Sequence, residues 1–305
     1  MQIQQTFYSI LEQAAKARVS DIYILPIQNG FQILTYAVSG LKNIGQLENE
    51  RGEALIRHIK FSACMDISEI RRPQLGRWHY LLDEQSLYLR ISSVADFLNR
   101  ESVVIRLIYN IKDDILKWQP AEAFAELGEL IQHKQGLILL AGQMGSGKTT
   151  TMYHAATKHL KNKMVLTIED PVELVEPHFL QLQVNDAADM SYEQLLKLAL
   201  RHHPDVIIIG EIRDAKTAKI VAQAALSGHL ILSTVHAMSI VGIWYRLRSF
   251  GIAADILQQI LIGLGYQKMV YQAATPYVAL EISSGQEMNR LLTELKHEEE
   301  SNVVS

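Results

Sequence analysis

The stretch from Gly136 to Thr150 constrains this chain more than any other. Leu137–Ala141 is an apolar run without a charge, the pattern of a strand covered on both faces. Directly after it, Gly142-Gln143-Met144-Gly145-Ser146-Gly147-Lys148-Thr149 satisfies G-x-x-x-x-G-K-[ST] at each fixed position. Glycines in such a loop let backbone N–H groups converge on a phosphate with no Cβ in the way. Lys148 would bring positive charge to the β- and γ-phosphates, and the Thr149 hydroxyl would ligate Mg²⁺. From Thr150 onward the pattern is helical, so a helix N-terminus would face the same anion. Strand, loop and helix in this order predict a nucleotide site running from Gly142 to Thr150.

The chain beyond the loop repeats the alternation of strand and helix. Met164–Ile168 is a second buried strand, ending on the acidic cluster Glu169-Asp170-Pro171-Val172-Glu173. Ser191–His202 is helical, with Leu195, Leu196, Leu198 and Ala199 on its apolar side. Asp205–Glu211 and His229–Val235 are two more hydrophobic strands. This alternation predicts an α/β fold with a mostly parallel sheet, and a ligand outside the carboxyl ends of the strands. Lys148, Glu173, Glu211 and His236 all emerge at those ends. Glu211 stands where a Walker B acid would approach Mg²⁺ and the attacking water. Glu173 reads equally well as catalytic or as solvent-facing on its spacing alone. His229 and His236 bracket one strand, and the six residues between them fit neither a helical nor a knuckle spacing, so no zinc is expected. Beyond Ser239 the chain reads as largely helical, with an apolar stripe of Ile256, Leu257, Ile260, Leu261 and Leu264. A short strand pair around Tyr277–Ile282 follows, and the tail from Lys296 reads as frayed.

The first hundred residues carry a different pattern. Ile3, Phe7, Ile10, Leu11, Ala14 and Ala15 predict an amphipathic helix over 2–18. Asp21–Leu25 and Phe31–Tyr36 read as strands, Glu50–Cys64 as a helix, and Arg77–Leu82, Leu87–Ser93 and Val103–Ile108 as strands again. The organisation expected is therefore an α+β domain over 1–108, a linker over 109–119, a catalytic domain over 120–285 and an acidic tail over 286–305. A net charge of −4 argues against a nonspecific grip on nucleic acid. The single cysteine, Cys64, allows neither an internal disulfide nor a cysteine-built zinc module, and reads as a small buried hydrophobe. No signal peptide and no uncharged apolar run of bilayer length are found, so the expected location is cytoplasmic with at most peripheral membrane association.

Several ordered segments resemble the type II/type IV secretion and pilus ATPases, also called traffic ATPases. Ser20-Asp-Ile-Tyr-Ile-Leu-Pro26 is similar to that family's SDIHIEP segment, with Tyr23 at the usual histidine. Gly76-Arg77, Leu89-Arg90-Ile91-Ser92 and Val104-Ile-Arg106 resemble its GR, RVS and VLR elements. Ile168-Glu-Asp-Pro-Val-Glu173 resembles its aspartate box, Ile209-Gly-Glu-Ile-Arg-Asp214 its Walker B, and Ser227-Gly-His229 to His236 its histidine box. The resemblance implies a RecA-like P-loop NTPase domain preceded by a small PAS-like α+β domain. It also implies a hexameric, Mg²⁺-ATP-driven ring docked on an inner-membrane platform protein. Arg77, Arg90, Arg106 and Arg201 would then supply guanidinium groups to the developing phosphate charge. Arg201-His-His-Pro-Asp205 replaces the usual RQDPD, Lys197 stands where a second arginine is common, and Gln267-Lys-Met-Val270 replaces QRLV. The short, zinc-free form looks most like the competence-type member of Gram-positive bacteria, an assembly motor for a DNA-uptake pseudopilus. Two other readings are a RecA-like motor acting directly on DNA and a slow nucleotide-binding regulatory module.

Overall fold

The computed structural model describes residues 2–37, 40–83, 85–109, 116–185, 188–272 and 275–304. The chain divides into two compact units, Met1–Asn110 and Ile111–Ser305.

In the first unit the described elements are α1 (Gln2–Lys16), β1 (Asp21–Ile27), β2 (Gly30–Ala37), β3 (Gly40–Leu47), α2 (Asn49–Ser62), β4 (Gln74–Leu82), β5 (Gln85–Ala95) and β6 (Glu101–Ile108). The strands form an antiparallel sheet in the order β3-β2-β1-β6-β5-β4. Alternation sets its faces: Val103, Ile105 and Leu107 of β6 turn into a core shared with Phe7 and Leu11 of α1 and Leu55, Ile56 and Ile59 of α2. Phe7 stacks on Trp78 of β4 at 4.9 Å within this core. The edge strand β3 has no counterpart in the sequence reading. It buries little of itself, so it lacks the alternation that marks a strand.

Cys64 is exposed, contrary to the expectation of a buried thiol. It occupies the left-handed position after α2, with φ of 56°. Met65 N–H bonds to Lys60 O and Cys64 N–H to Phe61 O, the paired bonds that close a helix C-terminus. That conformation turns the side chain outward.

In the second unit follow β7 (Trp118–Gln119), α3 (Ala121–Leu130), β8 (Gly136–Ala141), α4 (Lys148–His159), β9 (Val165–Glu169), β10 (Leu180–Gln183), α5 (Tyr192–Arg201), β11 (Val206–Ile209), α6 (Ala215–Leu226), β12 (Leu230–Val235), α7 (Ile240–Ser249), α8 (Ala254–Ile260), β13 (Leu261–Gln272), β14 (Thr275–Ser284) and α9 (Gly285–Val304). The sheet runs β10-β9-β11-β12-β8-β13-β14-β7. It is parallel except where β13 turns back into β14. Each face carries its own apolar core, one around α5–α9 and one around α3 and α4. This is the mostly parallel α/β sheet expected from the strand–helix alternation.

Several parts of this unit differ from the sequence reading. Leu261 and Leu264 lie on a long strand, not on the expected helix. Gly263 and Gly265 hide the alternation; a Cβ on either would run into Leu130 or Leu140. The strand pair expected at Tyr277–Ile282 is this β13–β14 hairpin, which is much longer. The segment expected to fray from Lys296 continues α9, which buries Leu292 and Leu295. There, Trp244 Nε1 donates to Glu299 Oε1 at 2.9 Å and Arg248 Nε to Glu299 Oε2 at 2.7 Å. Of the segment expected as a linker, 110–115 lie outside the described residues. Tyr109 donates its hydroxyl to Val19 O, and Trp118–Gln119 pairs with β14.

Candidate active site

The loop between β8 and α4 owes its path to glycine at two positions. Gly142 has φ of 155°, and a Cβ there would lie 2.3 Å from Gln267 O. Gly147 caps α4 with φ of 83°, a left-handed conformation that side chains resist. Gln143, Met144 and Gly145 stand exposed between them, while Ser146 is buried. Lys148 opens α4, and its Nζ donates back to Gly142 O at 3.0 Å and Gln143 O at 3.1 Å. Burial lowers the Lys148 pKa below the ordinary lysine value, and the charges of Glu211 and Glu173 oppose that shift. Both carboxylates therefore act on the same lysine, although they follow different strands, β9 and β11.

Register explains the convergence. Ala141 pairs with Val235, and Ile209 pairs with both Ser233 and Ile168, so β8, β12, β11 and β9 end nearly level. Glu211 projects just past β11. Its Oε1 lies 2.9 Å from His236 Nε2, and its Oε2 accepts from Arg213 Nε at 2.8 Å. Arg213 also reaches toward Asp170, at 3.8 Å. The histidines separate: His236 joins Glu211, whereas His229 sits at the amino end of β12, roughly 20 Å away by strand rise. Among the described residues, no group of three histidine, cysteine or acidic side chains is placed to hold a metal ion.

The profile of the family described as "Type II/IV secretion system protein" matches residues 1–294. The chain belongs to that family. It is 40% identical over 269 residues to competence protein ComGA of Streptococcus pneumoniae, covering 88% of this chain and 85% of that protein. It is 35% identical over 267 residues to type II secretion system protein E of Pectobacterium carotovorum subsp. carotovorum, and spans 53% of that longer relative. Among solved structures it superposes on the ATPase DotB of Legionella pneumophila with a TM-score of 0.76 at 21% identity, covering 95% of this chain and 85% of that one. Against the ADP-bound pilus retraction motor PilT the TM-score is 0.71 at 21% identity, covering 97% and 88%. At this identity the structural likeness concerns the fold. Family membership, together with the phosphate loop and the strand-end glutamate of this chain, makes it an ATPase.

The phosphate loop in this family member draws on residues that sequence reasoning had left without a role. Gln267, fully buried on β13, donates its amide to Ser146 O and so braces the loop from the neighbouring strand. Its only sequence signal was its place in the altered Gln267-Lys-Met-Val270 run. Arg213 could have been found from spacing, because residues two apart in an extended segment share a side, here that of Glu211.

The four arginines fall in two places. Cross-strand register sets Arg77 opposite Arg90, Arg90 opposite Arg106, and Arg106 opposite Asp21, one row across β4, β5, β6 and β1. Arg106 Nε donates to Asp21 Oδ1 at 2.8 Å. The row lies on the sheet face opposite the core residues Leu89, Ile91 and Ile105. Arg201 is exposed at the end of α5. Nearby Asp205 bonds to Met164 O at the amino end of the sheet, the edge opposite Lys148. ATP and Mg²⁺ fit the carboxyl end of the sheet: a loop whose close packing against Gln267 and Ser146 leaves no room for a Cβ at Gly142, a lysine at its base, and the hydroxyls of Thr149 and Thr150 on the first turn of α4.

Proposed function

We propose that this family member is the Mg²⁺-ATP-hydrolysing motor of a competence-type pseudopilus that takes up DNA, working as a hexameric ring against an inner-membrane platform protein. The observation that carries the reading is the meeting of Lys148, Glu173, Glu211 and His236 at the level carboxyl ends of four parallel strands. The similarity to competence proteins along most of the chain supports the choice of system. No helix among the described residues is long and apolar enough to cross a membrane, which suits a peripheral location at the inner face of the cell membrane.

The backbone of Gly142–Thr150 cradles the phosphates, and Lys148 leaves its loop carbonyls to bind the β- and γ-phosphate oxygens. A magnesium ion held by Thr149, and through water by Glu211, would supply charge neutralisation at the transferring phosphoryl group. Glu211 orients the attacking water and accepts its proton, while His236 and Arg213 hold the carboxylate in place. Glu173 approaches the same charge from the β9 side. Guanidinium groups complete the site across the ring, where the Arg77–Arg90–Arg106 row and Arg201 of one copy face the nucleotide of a neighbour.

Variants of the two central residues test the reading. Lys148→Ala should lose ATP binding and turnover and abolish DNA uptake. Glu211→Gln should bind MgATP with near wild-type affinity yet turn it over about 10²–10⁴-fold more slowly, because the amide keeps the shape and loses the base. Wild-type turnover in Lys148→Ala would overturn the assignment.

A further inference from the structure

The aspartate-box acid Glu169 does not stand with the other carboxylates in the cleft. It is 2% exposed at the end of β9, although acidic side chains are rarely buried this deeply without partners. Its Oε1 accepts the hydroxyl of Tyr153, itself fully buried on α4, and that of Thr167 at 2.7 Å. The Tyr153 hydroxyl also accepts from Gln181 Nε2 at 2.9 Å. Gln181, on the edge strand β10, donates to Leu174 O at 2.8 Å and accepts from Glu176 N–H at 2.9 Å. Leu174 follows Glu173 directly. On the other side, Gly210 packs against Glu169, since a Cβ on that glycine would sit 3.4 Å from Glu169 Cγ. Gly210 in turn precedes Glu211.

These bonds connect three elements that must agree in position. Tyr153 lies on the helix that Lys148 opens, Gln181 grips the segment carrying Glu173, and Glu169 abuts the end of the strand carrying Glu211. A buried polar network is costly when incomplete and holds a unique arrangement when complete. Here the Tyr153 hydroxyl both donates and accepts, and the Gln181 amide uses its oxygen and its nitrogen. Burial raises the Glu169 pKa, and the hydroxyl bonds that it accepts from Tyr153 and Thr167 offset part of that rise, as bonds to a carboxylate acceptor do.

We propose that Glu169, Tyr153 and Gln181 are positioning residues, a buried relay that holds Glu173 in register with Lys148 and Glu211, with Glu169 acting as an acceptor and not as a reacting acid. The relay deepens the ATPase reading and rests on it for its catalytic consequence, whereas its effect on the Glu173 segment stands by itself.

The test uses the full-length protein with Tyr153→Phe, Gln181→Leu, Glu169→Leu and Glu169→Gln. Two quantities are read: ATP turnover against the dissociation constant of a fluorescent ATP analogue, and amide hydrogen exchange over residues 172–180. Displacing Glu173 by a fraction of an ångström should lower kcat in Tyr153→Phe and Gln181→Leu by about 10- to 100-fold, with nucleotide affinity little changed. Exchange over 172–180 should quicken while β11 and β12 keep their protection. Glu169→Gln preserves an acceptor oxygen and should recover most of the turnover that Glu169→Leu loses. Wild-type exchange in Tyr153→Phe would overturn the relay. So would a Glu169→Gln variant as inactive as Glu169→Leu with exchange unaltered, since that marks Glu169 as a reacting group. A wild-type protein without ATP turnover would instead remove the ATPase reading, and the exchange measurement would still decide the relay.

Discussion

Glu169 shows how far a side chain's surroundings can move it from its ordinary chemistry. Desolvation raises its pKa above the usual glutamate value of 4.5, the charge of Glu173 adds to the rise, and the hydroxyls that bond to it only partly offset it. A group whose folded pKa is raised binds its proton more tightly in the folded chain. Its contribution to stability is complete below the unfolded pKa and is lost as pH rises toward the folded value. Glu169→Gln, which has no proton to lose, should therefore match the wild type in acid and gain on it as pH climbs above about 4.5. Thermal unfolding of the two proteins across a pH series measures this. A melting-temperature difference that stays constant with pH would show that Glu169 titrates normally in the fold.

At the scale of elements, the segments that pack around the nucleotide domain's edge decide more than their local patterns suggest. Helix α9 is rich in glutamate, yet Leu292 and Leu295 seat it in the core, and Glu299 takes the indole N–H of the fully buried Trp244 and the guanidinium of Arg248. Removing that carboxylate leaves a buried donor without its partner. Glu299→Ala is expected to cost about 1–3 kcal/mol, lowering the melting temperature by several degrees. The ion-pair part of the bond is partly exposed and contributes the smaller share. An unchanged melting temperature would mean that α9 is anchored by its leucines alone. Strand β13 has a comparable role near the site, because Gln267 reaches from it to the phosphate loop.

On the scale of the whole molecule, the arginine row carries the intersubunit prediction. Like charges set directly opposite on neighbouring strands are destabilising, and Arg77, Arg90 and Arg106 stand in successive register. Asp21 beside Arg106 offsets part of that repulsion. A guanidinium offered to the phosphate of a neighbouring copy is worth about 10³–10⁵ in rate in related phosphoryl-transfer enzymes. ATPase activity per subunit should therefore rise with protein concentration as rings form. Arg90→Ala should lose turnover, and mixing it with Lys148→Ala, which has intact arginines and a dead loop, should restore part of it. No recovery on mixing, with activity independent of concentration in the wild type, would sink the intersubunit role.

Much of this architecture is local enough to be legible in residues alone. An apolar run, a glycine loop and a lysine at fixed spacing specify a strand, a turn and a helix whose geometry depends on neighbours a few positions away. The strand–helix alternation then implies a parallel sheet, and with it the end at which Lys148, Glu173, Glu211 and His236 gather. Other features depend on pairings between distant segments, which no local pattern encodes. Gln267 meets Ser146 only because β13 lies beside β8, and the glycines that permit this contact erase the alternation that would have announced a strand. The arginine row exists only in the cross-strand register of β4, β5 and β6. Glu169 looked like one more acid in a cluster until the fold closed α4, β10 and β11 around it, because burial is a property of the assembled core.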